Sequence, residues 1–371
     1  VKCEKINFAD KPDPAPRVIQ PRSPVYNLEL ARFLKRAEKK IMGAIAKIWG
    51  GPTVLKGYNA EGQASKLRDM WDEFVDPVAL FFDATRFDQH VSDDALRFEH
   101  SCYLGLFRGR DRDRLQTLLE WQLRNKGYAR CEEVLVKYDV SGRRMSGDIN
   151  TGMGNCVLMC AMMHGLSREL GIKSRLANNG DDCCLIVERR NVATVQQAVK
   201  PYFLKYGFVM EAEGETDIFD RIRFCQTSPV YDGLRWVMVR EPTRGLTRDV
   251  ASVLNLTHPK EFDAYCWAIG VGGMSLTGGI PLWQEVYKNF QSHGTPTNIA
   301  KHPMLQNAGM TYLAADMDRC YSKITPEARI SFWRAFGVLP DVQEDLEAQY
   351  AGCELTPFAG ERPPIPIAVT E

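Results

Sequence analysis

The chain has 371 residues, 44% of them apolar, with 47 basic and 47 acidic side chains, so its formal net charge is zero. That balance is ordinary for a globular protein of two or three subdomains, and no uninterrupted apolar run reaches the roughly 18 residues a membrane-spanning helix requires. Eleven cysteines without regular spacing fit a reducing compartment better than a disulfide framework, and neither Cys156 with Cys160 nor Cys183 with Cys184 has zinc-ligand spacing.

No signal peptide is visible, and an opening Val1 reads as the start of a fragment or a processed product. The first stretch is basic: Lys2, Lys5, Lys11, Arg17 and Arg22 punctuate a segment stiffened by Pro12, Pro14, Pro16 and Pro21. Long cations on such a segment can be aimed at an anionic ligand. Residues 27–48 read as an amphipathic helix, with Leu28, Leu30, Phe33, Leu34, Ile41, Ile45 and Ile48 near helical spacing. Gly50-Gly51-Pro52 ends it. Val78–Phe82 is a continuous apolar run short enough to be a buried strand. Ser92-Asp93-Asp94 reads as a helix start, and that helix runs to about Phe107. From 108 to 145 the pattern predicts a helix and then a strand pair, with one strand over Arg130–Lys137.

Ser146-Gly147 opens a glycine-rich loop leading into a helix from about Asn155 to Leu170, whose face of Val157, Leu158, Ala161, Met162 and Leu166 belongs to the core. Arg175–Ala177 and Cys183–Val187 read as the strands of a hairpin, with Asn179-Gly180 as its turn. A helix over 191–206, strands near 207–211 and 221–226, and a strand at Trp236–Val239 follow. Helical patterns dominate from about 245 to a tail carrying Pro363, Pro364 and Pro366. Mixed elements followed by helices predict an α+β core with a helical C-terminal subdomain.

The chemistry concentrates in acids. Asp181 and Asp182 sit side by side on the hairpin tip, and Asp83 and Asp88 follow the buried strand in Phe81-Phe82-Asp83-Ala84-Thr85-Arg86-Phe87-Asp88. Taken singly, each acid reads as a solvated turn residue. If the two strands are neighbours, about 4.8 Å apart, Asp83, Asp181 and Asp182 crowd one patch and need a counter-charge. Two hard divalent cations about 3.5–4 Å apart are the common solution, and such pairs clamp the oxygens of phosphoryl transfer. Polymerases, reverse transcriptases and two-metal nucleases all use such a set. A two-metal nuclease leaves the basic segment and the 146–155 loop unexplained.

The chain as a whole resembles the RNA-dependent RNA polymerases of plus-strand RNA viruses, and is most similar to the tombusvirus and carmovirus group. Lys2-Cys3-Glu4-Lys5 through Pro16-Arg17-Val18-Ile19-Gln20-Pro21-Arg22 resembles motif F, Asp83-x4-Asp88 motif A, and Ser146-Gly147-Asp148-Ile149-Asn150-Thr151-Gly152-Met153-Gly154-Asn155 motif B. Gly180-Asp181-Asp182 resembles motif C, and Phe224-Cys225-Gln226 the primer-grip motif E. All five stand in the family's order.

The resemblance implies a right-hand fold. Residues 1–76 would be a fingers part with motif F, 77–94 the palm with motif A, and 95–145 a fingers–palm connection. Residues 146–240 would hold palm motifs B to E, and 241–371 a helical thumb and tail. It implies a site with two Mg²⁺ ions, Mn²⁺ being acceptable to the same ligands. Asp83 and Asp181 would be the principal ligands, with Asp182 assisting and the Ala84 carbonyl adding a contact. Asp88, Ser146, Thr151 and Asn155 would recognise the incoming ribose. Lys2, Lys5 and Arg17 would meet the triphosphate. Gly147, Gly152 and Gly154 would let the motif B loop flex against template and product. Phe224, Cys225 and Gln226 would support the primer.

One departure concerns motif D, where relatives carry a lysine that is a candidate general acid. The stretch Tyr206–Glu213 is acidic, and Lys205 is the nearest cation. The implied partners are template and product RNA, ribonucleoside triphosphates, a viral auxiliary replication protein and host factors. The implied place is the host cytoplasm, in membrane-associated complexes reached through upstream sequence or a partner.

Overall fold

A computed structural model describes residues 18–131, 134–250, 252, 256–298 and 309–357. Lys2, Lys5, Arg17 and the proline-rich tail lie outside the described residues. Helix α1 (Pro24–Trp49) begins on a proline, which suits a first helical turn. It ends where Gly50 turns left-handed at φ 79° and donates its N–H to Ala46 O. Its buried stripe is Leu30, Leu34, Ala37, Ile41, Ile45 and Trp49. Leu28 and Ile48, expected on that stripe, fall on the outer face at 69% and 62% exposure.

The elements that follow are α2 (Ala60–Trp71), β1 (Pro77–Ala84), α3 (Phe87–His90), α4 (Asp93–Leu104) and α5 (Gly109–Glu120). Next come β2 (Arg124–Cys131), β3 (Val134–Ser141), α6 (Thr151–Glu169), β4 (Ser174–Asn179), β5 (Asp182–Glu188), α7 (Val192–Leu204) and β6 (Met210–Thr216). Four strands form an antiparallel sheet in the order β4-β5-β1-β6. The Val78–Phe82 run fills β1 because that strand is interior, flanked on both edges. One face of it, Val78, Leu80, Phe82 and Ala84 with Cys183, Leu185 and Val187, joins a core shared with α1, α4, α6 and α7. Ser92 caps α4, its Oγ accepting from Ala95 N at 3.1 Å.

Four expectations shift. The strand expected over Arg130–Lys137 is two strands of a hairpin, because Cys131 and Val134 pair directly at its closed end. The glycine-rich helix begins at Thr151, four residues earlier than the pattern suggested, so Gly152, Gly154 and Asn155 lie in its first turns. The strand near 207–211 moves to Met210–Thr216, since Gly207 at φ 82° ends the preceding helix. Residues 221–226 form no strand; a 3-10 turn at Phe219–Arg221 leads to a tight turn bridged by Phe224 and Thr227.

The described chain divides into two compact units, one of residues 18–57 and 63–227, the other of 58–62 and 228–357. The boundary at 227 falls inside the segment expected to hold motifs B to E. The second unit holds the hairpin of β7 (Thr227–Tyr231) and β8 (Trp236–Arg240), then α8 (Pro242–Val250), α9 (Pro259–Thr277), α10 (Trp283–Ser292), α11 (Met310–Leu313), α12 (Pro326–Phe336) and α13 (Pro340–Ala351). Helices α9 and α10 pack closely because Gly270 and Gly273 leave room for Gln291 and Tyr287. Arg319, with its side chain 4% exposed, bonds Glu61 at 2.7 Å and Asp232 at 2.6 Å. Mixed helices and antiparallel sheets make this an α+β protein. Among the described residues no helix is long and apolar enough to cross a membrane.

Candidate active site

The acidic centre follows from strand register. Phe82 pairs with Cys183 and Phe81 with Cys184, so the next step of β1 sets Asp83 opposite Asp182. Alternation puts Asp83 on the face away from Leu80 and Phe82, half-buried and paired to Glu211 on its other side. Ala84 closes the strand opposite Met210.

The hairpin turn lies one residue later than Asn179-Gly180 would place it: Asn179 and Asp182 pair, and the loop is Gly180-Asp181. Only the first loop residue has positive φ, at 83° for Gly180, which is the type II′ pattern that glycine serves. Asp181 therefore stands at the apex and Asp182 at the start of β5. The tip is braced from within, with Asn178 Nδ2 donating to Gly180 O at 2.8 Å and Gly180 N donating to Cys156 Sγ of α6 at 3.2 Å.

Burial, with the charges of Asp181, Asp83 and Glu213, pushes the Asp182 carboxyl up to about 6. The neighbouring charges of Asp181, Asp83 and Glu213 favour a cation at this point. Hard oxygen donors at one end of the sheet suit a divalent cation in kind. Among the described residues, no three acid, histidine or cysteine side chains yet converge tightly enough to enclose one.

A second constellation lies beside it. Arg86, left-handed at φ 49°, turns the chain from β1 into α3, where Asp88 sits in the first turn. Asn155 Nδ2 donates to Asp88 Oδ1 at 2.9 Å, so these two expected partners meet. Behind them Arg144 Nε donates to Asn155 Oδ1 at 3.1 Å, and Arg144 also forms an ion pair with Glu99 in which both side chains are 0% exposed. Tyr103 OH donates to Glu99 Oε1 at 2.6 Å and Asn150 Nδ2 does so at 2.8 Å. Gln122 Nε2 donates to Asn150 Oδ1 at 2.8 Å, and His100 Nε2 lies 3.1 Å from Gln122 Oε1. Burial pushes the Glu99 carboxyl up, but the Arg144 guanidinium and the hydrogen bonds from Arg144 and Tyr103 outweigh it and leave the group below its ordinary value.

The remaining expected residues serve the loop in front of α6. Gln20 N donates to Ser146 Oγ at 3.1 Å, and Gly147 N donates to Gln20 O at 3.0 Å. A Cβ at Gly147 would overlap the main chain of Gln20 and Pro21, so close approach is the reason for glycine here. The Thr151 hydroxyl lies 2.9 Å from Asp148 O and 3.1 Å from Met145 O, closing the loop onto the helix. Gly152 and Gly154 lie in the first turn of α6, with the Lys56 ammonium beside Gly152 and the Glu99 carboxyl and Arg144 guanidinium beside Gly154. Arg22, read as aimed at a ligand, is bonded to Asp148 at 2.6 Å and to Asn125. Phe224 is buried, and Cys225 and Gln226 both take positive φ, 52° and 61°, in a turn that costs about 1–2 kcal/mol per non-glycine residue. That turn presents Cys225 Sγ to Asn179 Nδ2 at 3.1 Å, beside the acidic tip.

A family model described as viral RNA dependent RNA polymerase matches residues 1–357. The chain belongs to that family. It is 45% identical over 351 residues to the RNA-directed RNA polymerase of Tobacco necrosis virus (strain A), covering 94% of this chain and 48% of the relative. It is 46% identical over 354 residues to that of Melon necrotic spot virus, covering 94% and 44%. Against the Carnation mottle virus enzyme it is 42% identical over 352 residues, covering 94% and 45%. The chain thus spans less than half the length of these relatives.

Sequence reasoning missed Lys56 and the Arg144–Glu99 pair of this polymerase-family chain. Residues 53–55 run beside β4, with Leu55 N donating to Asn178 O at 2.9 Å, and this delivers the Lys56 ammonium to the N-terminal turn of α6 at Gly152. A bridge of Val54 to Asn178 is too short to leave a strand pattern. Glu99 and Arg144 stand 45 residues apart and share no local pattern.

Proposed function

We propose that this chain carries the catalytic core of RNA-templated RNA synthesis for viral genome replication, in a right-hand fold. The palm is the β4-β5-β1-β6 sheet with α6 and α7, and the thumb is the helical second unit. The observation that carries the reading is the meeting of Asp83 with Asp182 at one sheet edge, next to the Asp88–Asn155 pair. Membership of a viral RNA polymerase family supports it.

In this reading the 3′-hydroxyl oxygen of the growing RNA attacks the α-phosphorus of a ribonucleoside triphosphate. A new phosphodiester bond forms, the bond to the β-phosphate breaks, pyrophosphate departs and the hydroxyl proton is lost. Polymerases of this family use divalent metal ions. Asp83 and Asp181 would hold two of them, Mg²⁺ in the first instance, with Asp182 and the Ala84 carbonyl beside them. When bound, such ions supply charge stabilisation to attacking and leaving oxygens. Asp88 and Asn155 grip the ribose 2′-hydroxyl, which both donates and accepts; a deoxyribose leaves those polar groups unpaired. Ser146 and Thr151 shape the loop that seats the nucleotide, and Gly147 and Gly152 let template and product pass close to the main chain. Phe224, Cys225 and Gln226 support the primer end, and Lys2, Lys5 and Arg17 receive the triphosphate. The reaction takes place in the host cytoplasm on membrane-associated complexes, reached through further sequence or an auxiliary replication protein, with host factors.

The test is template-dependent ribonucleotide incorporation by the wild type beside Asp181→Ala. Loss of one ligand to the metals removes several kcal/mol of charge stabilisation, so the variant should lose about a thousandfold in rate. Equal incorporation by the two proteins would overturn the reading, and RNA degradation without nucleotides would replace it with a nuclease.

A further inference from the structure

We propose that Arg144 is a positioning residue for ribose selection, holding Asp88 and Asn155 as one oriented pair. The inference rests on the reading that those two side chains meet the incoming ribose. Arg144 reaches both ends of the pair. Its main-chain N–H donates to Asp88 O at 2.9 Å, and its Nε donates to Asn155 Oδ1 at 3.1 Å.

An asparagine amide has a donor end and an acceptor end, whereas a guanidinium only donates. Were the Asn155 amide reversed, its NH₂ would face the Nε–H of Arg144 and its oxygen would face the Asp88 carboxylate. Both contacts would be repulsive. Arg144 therefore selects the orientation in which Asn155 Nδ2 donates to Asp88 Oδ1. The second carboxylate oxygen of Asp88 is then left for a ligand hydroxyl.

The guanidinium itself cannot swing. Its other nitrogens are held by Glu99, with Nη1 at 3.2 Å from Oε1, and Glu99 is held by Tyr103 and Asn150. A Cβ at Gly154 would overlap both the Glu99 carboxyl and the Arg144 guanidinium, so glycine at this helical position keeps the space the pair occupies. A planar fork that bonds a carboxylate through its tips and an amide through Nε has no lysine equivalent.

The experiment compares kcat/KM for a ribonucleotide and its 2′-deoxy counterpart on an RNA template, with melting curves for every protein. Arg144→Lys keeps a cation for Glu99 and removes the Nε donor. Gly154→Ala keeps both charges and displaces them. Selectivity for the ribonucleotide should fall about tenfold in each, the size expected for one hydrogen bond to a charged group. The loss should appear mainly in the ribonucleotide KM, with deoxynucleotide incorporation unchanged. Arg144→Lys should add nothing in an Asn155→Ala background. If Asn155→Ala lowers selectivity while folded Arg144→Lys and Gly154→Ala keep the wild-type ratio, the positioning role is wrong. If Asn155→Ala itself keeps the wild-type ratio, the ribose reading fails instead. Failure of both Arg144→Lys and Gly154→Ala to fold would assign the ion pair to stability alone and overturn the proposal.

Discussion

Asp83 on β1 and Asp182 on β5 stand at directly opposed positions, one step beyond the Phe82–Cys183 pair. With Asp181 at the neighbouring hairpin apex, this end of the sheet gathers like charge. In metal-free protein, Asp182→Asn should therefore raise the melting temperature slightly, since it removes a carboxyl held up near 6 by its surroundings. The wild type should gain stability with Mg²⁺, about 2.7 kcal/mol at a hundredfold excess over Kd, and Asp83→Asn should lose most of that gain. Melting curves with and without Mg²⁺ check both statements. An undiminished Mg²⁺ response in Asp83→Asn would remove this residue from the metal site.

Arg319→Ala should cost the second unit about 1–3 kcal/mol, because it takes one cation from Glu61, which keeps Arg235, and from Asp232, which keeps the N–H groups of Leu234 and Arg235. Arg319 Nε also donates to Gly278 O at 3.0 Å, so a main-chain acceptor is orphaned too. Arg319→Lys should recover only part of the loss. Denaturant unfolding measures it; a cost below about 1 kcal/mol would mean the cluster behaves like an exposed, screened pair.

Acid should weaken the first unit through His100. Burial holds its imidazole below the ordinary range, against the opposing influence of Glu99 and the Gln122 hydrogen bond, while Arg144 and Arg97 add to the depression. As pH falls through the ordinary histidine range, the unfolded chain takes up a proton that the folded chain refuses, so stability drops. Glu99, held below its ordinary value, adds its own loss at still lower pH. His100→Gln should show a shallower decline between about pH 7 and 5. Parallel pH–stability curves for the two proteins would refute the assignment.

Local patterns made much of this legible. The apolar run of β1, the Ser92 cap and the glycine of the acidic hairpin each leave a signal within a few residues, and together they located the acidic centre. What stayed hidden depends on contacts between distant residues. Glu99, Tyr103, Gln122, Arg144 and Asn150 come from four segments, and their burial is possible only because they satisfy one another. The 221–226 stretch misled because Ile222 and Phe224 alternate with arginines as a strand would, yet the chain turns at Cys225 and Gln226. Lys2, Lys5 and Arg17 lie outside the described residues.

The bond from Gly180 N to Cys156 Sγ, with Asn155 next along the helix, has a mechanical consequence. The hairpin apex and the first turns of α6 are fastened together, so a tug on one is felt by the other. On the proposed reading, the residues that meet the sugar and those that hold the metals thereby share a single chassis. On that reading, forward travel of a bound strand falls to the Ser146–Ile149 bend, which is held by Gln20, Arg22 and Asn27.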